Sequence, residues 1–341
     1  MTQLSDHPQA QCLRDDDPTN LCPFVDPKTG DPLVLDGDVY RSIKSGDVVA
    51  HIRGGRVVDF VNNNAQYTSS FSFQWLRTAA IRSVHPQLRA NHKREMDLRT
   101  GFAAKDLRGM RCLEIGAGLG EDTDYMLAQG IGEIYAVDLS ESIYRASELI
   151  DNPRAHFVRG DASSLPFTPG SFDIVICHRM IQHTPHPAAT LARAAAMVKP
   201  GGILFTHSYH RSKYFNASAK YKYRWLTTKI PSRMFWTMLS VSSPLLRGSA
   251  KLCARLGGQR GVEFTRRWNP WVVLAPQHLE GVDRKTRNAK ELQVAFDSLT
   301  PKYDIPMYSQ DFVDLIEGFG FRIESIERRP WYPLWAKAIK E

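Results

Sequence analysis

The 341-residue sequence predicts an α/β fold built on a doubly wound, mostly parallel sheet, and three observations carry that reading. From about residue 105 to 208, short apolar runs alternate with helical patterns at the spacing of βαβ units, whose right-handed crossovers place helices on both faces of a sheet. The first run, Cys112, Leu113 and Ile115, leads into glycines at alternate positions, Gly116, Gly118 and Gly120; these let the backbone turn tightly and approach a ligand before a helix begins. The second, Ile134 to Val137, ends on Asp138. Ligands in such sheets sit beyond the C-terminal strand ends. Glu114, Asp138, Asp161 and Cys177–His178 are therefore expected to converge by topology.

The loop chemistry narrows the ligand. A dinucleotide fingerprint wants a glycine where this chain has Glu121. The first helical turn also carries Asp122 and Asp124, which would repel a pyrophosphate at close range. Glu114 at the strand tip suits a cationic ligand, and a carboxylate at Asp138 accepts hydrogen bonds from ribose hydroxyls. A positively charged adenosine without phosphate fits best. The stretch Leu113-Glu-Ile-Gly-Ala-Gly-Leu-Gly120 resembles the first motif of class I S-adenosylmethionine (SAM) dependent methyltransferases, with Val158 to Ala162, Phe172 to His178 and Val198 to Phe205 resembling the later motifs in order. The resemblance implies a Rossmann-like core that binds SAM through Glu114, Gly116, Ala117, Gly118, Asp138, Leu139, Asp161, Ala162 and His178.

Residues 1–65 are rich in Asp, Pro and Gly, and the segments around Val39, Val48–Ile52 and Arg56–Val61 read as short strands of a small β-module. Leu21-Cys-Pro23 resembles the zinc-ribbon leader of some bacterial methyltransferases, but Val25 stands where a second thiol belongs and no second pair follows. Zinc needs about four ligands, so the module is expected to hold no metal. Five scattered cysteines imply no disulfide framework. Without a signal-peptide pattern or a run near ~20 apolar residues, a cytoplasmic protein is expected.

Residues 66–104 are expected to form helices closing over the cofactor, with Trp75, Leu76, Ala79, Ala80 and Val84 at helical spacing and Tyr67, Phe73 and Trp75 as pocket candidates. After the fourth core strand, His178 and His183 are candidates for a general base, because histidine titrates near neutral pH. His210 beyond the fifth strand is a third candidate, and His207 also faces the acceptor side. Cys177-His-Arg-Met180 stands where amine-methylating relatives place an Asn/Asp-Pro-Pro-aromatic loop, which favours an oxygen, less favourably a carbon, as acceptor.

Residues 209–296 form an insertion. Between 209 and 290 there are 17 Lys and Arg against three acidic residues, while the whole chain carries a net +8. Eleven aromatic residues accompany that charge, among them Tyr214, Phe215, Tyr221, Trp225, Phe235, Trp236, Trp268 and Trp271. A basic, aromatic surface points to an anionic partner: an anionic membrane at the inner face, with Met234 to Leu239 and Leu245–Leu246 at the interface; a small-molecule, glycan or lipid-linked acceptor; or RNA, as an RNA-directed enzyme or a docking protein with a vestigial fold. Residues 297–341 complete the core, with Ser309 as a helix N-cap, Phe312, Leu315, Ile316 and Phe319 as its buried stripe, and Trp331 to Ile339 as an antiparallel edge strand.

Overall fold

A computed structural model describes residues 24–61, 68–82, 85–211, 218–269, 279–328 and 333–341. Cys12, Cys22, Tyr67, Tyr214, Phe215, Trp271 and Trp331 lie outside the described residues, as does the side chain of Ala80. Within them, strands β1 (Leu33–Asp36), β2 (Val39–Ser42), β3 (Val48–Arg53), β4 (Val57–Asp59), β5 (Arg111–Ile115), β6 (Glu133–Asp138), β7 (Ala155–Arg159), β8 (Phe172–Cys177), β9 (Val198–Ser208), β10 (Phe321–Glu327) and β11 (Leu334–Lys340) make one sheet. Its order is β1-β2-β3-β4-β7-β6-β5-β8-β9-β11-β10. Every pairing from β4 to β9 is parallel. The central strands are buried along almost their whole length, as a sheet covered by helices on both faces requires.

Alternation along these strands divides the core. Leu113, Ile115, Val137 and Val175 pack with Leu191 and Ala194 of α5 (Pro187–Met197) and with Phe312 and Ile316 of α9 (Ser309–Gly318). The intervening Cys112, Ile134, Ala136 and Ile174 pack on the other face with Met96 of α2 (Pro86–Thr100), Met126 of α3 (Glu121–Ala128) and Ile143 of α4 (Ser142–Leu149).

Three findings differ from the sequence reading. The N-terminal strands continue the main sheet: β4 pairs in parallel with β7 through Val57↔Phe157 and Asp59↔Arg159, and Phe24 joins the core beside Tyr135 and Phe167. The chain's last strand is internal, because β11 pairs antiparallel with both β9 and β10, which leaves β10 at the edge. Leu334, Trp335, Ala336 and Ala338 are buried, which suits a strand with neighbours on both sides. Ser309 is the first helical residue of α9 rather than its cap; Tyr308 holds the cap position without a side-chain bond.

The remaining helices form one lateral layer. α1 (Ser69–Arg82) packs against α8 (Arg284–Leu299), where Phe73 meets Phe296 and Trp236 of α7 (Ser232–Trp268). α7 is two helices that meet at Gly258, whose φ of 53° and ψ of −131° break the helix. The chain then folds back, so that Asn269 Nδ2 donates to the Leu246 carbonyl at 2.7 Å. The shorter α6 (Ala219–Thr227) lies against this hairpin, with the Tyr223 hydroxyl donating to the Trp268 carbonyl.

Candidate active site

The glycine loop after β5 opens onto a cavity at the C-terminal ends of the parallel strands. Gly116, Gly118 and Gly120 all have positive φ, and two of them also need the missing side chain. A Cβ on Gly116 would strike Met180 and one on Gly120 would strike Ile150, whereas one on Gly118 would only touch the Trp75 ring at 3.5 Å. Trp75 and Met180 thus close down on the loop from two sides.

Acidic side chains underlie the loop. Asp138 at the tip of β6 accepts from the Gly118 N–H at 2.8 Å through Oδ2 and from the Ser140 N–H and hydroxyl through Oδ1; burial raises its pKa. Oδ1 is thus saturated by Ser140, while Oδ2 keeps a lone pair for a further donor. Glu114 is buried beneath the loop and accepts a hydrogen bond from the Thr123 hydroxyl. Burial, reinforced by the charge of Asp122, pushes its pKa well above the ordinary value.

Of the residues expected to hold cofactor, Gly116, Asp138, Leu139 and Ala162 line the cavity. Glu114 lies below it, Ala117 and Gly118 shape the loop, and Asp161 is not in the wall, its Oδ1 accepting instead from the Ser163 N–H at 2.8 Å. His178 is not in the wall either. Its Nδ1 lies 2.5 Å from Asp122 Oδ2, and the other oxygen of Asp122 meets His92 Nε2 at 2.7 Å. Burial alone would raise the Asp122 pKa, but the two histidines outweigh it and hold the carboxyl below the usual carboxylate range. The acidic helix start read as a barrier to pyrophosphate is therefore in part a buried structural cluster, and Asp124 is paired with Arg89 at 2.6 Å.

Among the histidine candidates the cavity contains only His183. Its Nδ1 lies 3.0 Å from the Tyr303 carbonyl, a contact only an Nδ1–H can make as donor, so Nε2 is the basic nitrogen. Burial lowers its pKa. The ring lies between Phe71 at 5.1 Å and Tyr209 at 5.5 Å, and the Lys220 ammonium caps the Tyr209 ring at 4.1 Å while pairing with buried Asp304 at 2.5 Å. His210 sits outside the wall in an isolated bridge to Met307. His207 is buried against Trp335 at 4.6 Å. Phe73 turns to the helical layer, while Trp75 lines the cavity as its spacing allowed.

The cavity also uses Phe71, Ser140, Arg179, Met180 and Thr184, which sequence reasoning passed over. Ser140 follows Asp138 by two residues, an Asx-turn spacing that could have been read. Arg179 adopts a positive φ of 56° and ion-pairs with Glu95 at 2.8 Å; no local pattern announces either feature.

Residues 113–206 match a family model described as a methyltransferase domain. The chain resembles ubiquinone biosynthesis O-methyltransferases of Albidiferax ferrireducens, 32% identical over 30% of this chain and 43% of that one, and of Ralstonia nicotianae, 34% identical over 31% and 46%. It thus spans less than half the length of these relatives. Among solved structures, magnesium protoporphyrin IX methyltransferase of Synechocystis PCC 6803 overlaps 81% of this chain and 97% of its own at 16% identity and a TM-score of 0.44. A 1,6-didemethyltoxoflavin N1-methyltransferase of Burkholderia thailandensis overlaps 91% and 99% at 14% identity and a TM-score of 0.41.

Proposed function

We propose that the chain, whose residues 113–206 form a methyltransferase domain, moves a methyl group from SAM to an oxygen, less favourably a carbon, of a small-molecule, glycan or lipid-linked acceptor. One observation carries this reading: a single cavity wall joins the Gly116 and Asp138 rim to a histidine whose free nitrogen is basic.

The donor set fits the cofactor. Asp138 offers the open lone pair of Oδ2 to a ribose hydroxyl, Ile115, Val137 and Ala162 offer an apolar slot, and a cation near Glu114 would favour that residue's ionised form against the burial that raises its pKa. When bound, SAM supplies an activated methyl on a sulfonium. The protein's own contribution is to orient the acceptor, shield the site with Phe71, Trp75 and Met180, and accept the acceptor's proton on His183 Nε2. Support for oxygen comes from the names of the curated relatives, over a third of the chain or less, and from the residues Cys177 to Met180 in place of an amine-holding loop.

Asp138→Ala is expected to weaken SAM binding by roughly 1–3 kcal/mol through lost charge-assisted hydrogen bonds. Titration calorimetry showing unchanged affinity would overturn the cofactor assignment. Incubation with methyl-labelled SAM and fractionated extract then reads the acceptor class; label entering protein or nucleic acid alone would contradict the acceptor proposed.

A further inference from the structure

The helical hairpin of α7 is buried on one side only. Phe235, Trp236 and Leu239 point inward, where they pack with Phe296 and Leu299 of α8. The membrane alternative puts all of Met234 to Leu239 and Leu245–Leu246 at the interface, but Leu246 too packs against this inner cluster. The opposite side carries Met234, Met238, Val241, Leu245, Leu252 and Leu256, between 51% and 79% exposed. At about 100° per residue these six positions fall within an arc of roughly 60°, so they form one continuous ridge across both sides of Pro244. Phe264 and Trp268 on the returning segment and Trp225 on α6 are also more than half exposed. An apolar ridge this long is costly to leave in water and marks a contact surface.

Charge identifies the partner. Between Ser232 and Trp268 there are seven Lys and Arg and one acidic residue, Glu263. On the same helical wheel Arg233, Lys251 and Arg255 fall beside the ridge, on its flank away from the buried face. An apolar stripe flanked by cations matches an interfacial helix lying flat on an anionic bilayer, with aliphatic side chains among the upper acyl groups and cations at the headgroups. A second copy of the chain would bring the same positive charge to the same face. RNA would leave the aliphatic ridge without a partner, since bases stack on aromatic planes. Among the described residues no helix is long and apolar enough to cross a membrane, so the contact is peripheral.

We infer that the outer face of the α7 hairpin docks the protein on an anionic lipid surface. Because α7 and α8 pack on α1, which lines the cavity through Phe71 and Trp75, docking would hold the catalytic mouth near the bilayer. The inference stands on the exposed ridge and its charges and does not depend on methyl transfer.

The test is co-sedimentation of the full chain with phosphatidylcholine vesicles, with and without phosphatidylglycerol. Binding is expected on the anionic vesicles only, weakening as salt rises from about 0.1 to about 0.5 M. The double variant Leu245→Glu/Leu252→Glu should lose about tenfold in vesicle affinity while its melting temperature stays unchanged, because both side chains lie outside the core. Lys251→Glu/Arg255→Glu should lose binding mainly at low salt. The inference is overturned by absence of vesicle binding, by equal binding to neutral vesicles, or by a Leu245/Leu252 variant that sediments like the parent. It is equally overturned if that variant merely dissociates a dimer, or if an RNA oligonucleotide binds while vesicles do not.

Discussion

His183, the proposed base, shows how one side chain's surroundings set which nitrogen is basic. The Tyr303 carbonyl at 3.0 Å takes the Nδ1 proton, and burial lowers the pKa, partly opposed by Asp304 and Asp297. Below its ordinary value near 6.5 the ring thus stays neutral to lower pH than a solvated histidine. The acid limb of kcat should therefore fall below pH ~6.5. His183→Asn should remove that limb and reduce kcat by about 10²- to 10⁴-fold with SAM affinity preserved, as read by initial rates against pH and by calorimetry. A variant with the parent's kcat would place the base elsewhere. The candidacy of His183 was legible from its position after β8; its distinction from His178 was not. That distinction depends on Asp122 and His92, 56 and 30 residues from their respective partners, and on a carbonyl 120 residues away.

Among the elements, α1 links the cavity to the helical layer. Phe71 and Trp75, one turn apart, line the cavity, while Phe73 meets Phe296 at 5.7 Å and the Gln74 amide donates to Asp297 at 2.7 Å. Helical periodicity foretold a buried apolar stripe, yet Leu76 on that stripe is 49% exposed, because the helix turns inward the face that carries the polar Ser70, Gln74 and Thr78. Phe296 is fully buried at the centre of this contact. Phe296→Ala should cost about 3–5 kcal/mol in urea unfolding and raise the KM for the acceptor, since α1 loses its anchor; an unchanged midpoint would show that the layer is held by other contacts. The N-terminal strands teach a related lesson. Alternation revealed β2, β3 and β4, but the pairing of β4 with β7 joins residues 100 apart, which no local pattern encodes.

At the scale of the whole molecule, the parallel α/β core and the glycine turn at the cavity followed from alternating patterns and glycine spacing, whereas the sheet order at both margins and the buried histidine cluster did not. That cluster sets the response to acid. His207 is buried, neither ring nitrogen has a hydrogen-bond partner among the described residues, and its ring packs on Trp335, Tyr209 and His178. Burial, with His178, Arg179 and Arg99 adding positive charge nearby, lowers its pKa well below 6.5. In that case the unfolded chain takes up a proton as pH falls through ~6.5 while the folded chain does not, so acid favours unfolding, and the loss continues until the folded-state pKa is reached. His178 and His183 are lowered too and act in the same direction; His92, whose pKa Asp122 raises against the effect of burial, acts in the opposite one. Each lowered histidine can contribute a slope of at most about 1.4 kcal/mol per pH unit. His207→Phe keeps a ring against Trp335 and removes one titrating group. Its urea midpoint should therefore fall less steeply than the parent's between pH 6.5 and 5, and parallel slopes would show that His207 is protonated in the folded protein or titrates alike in both states.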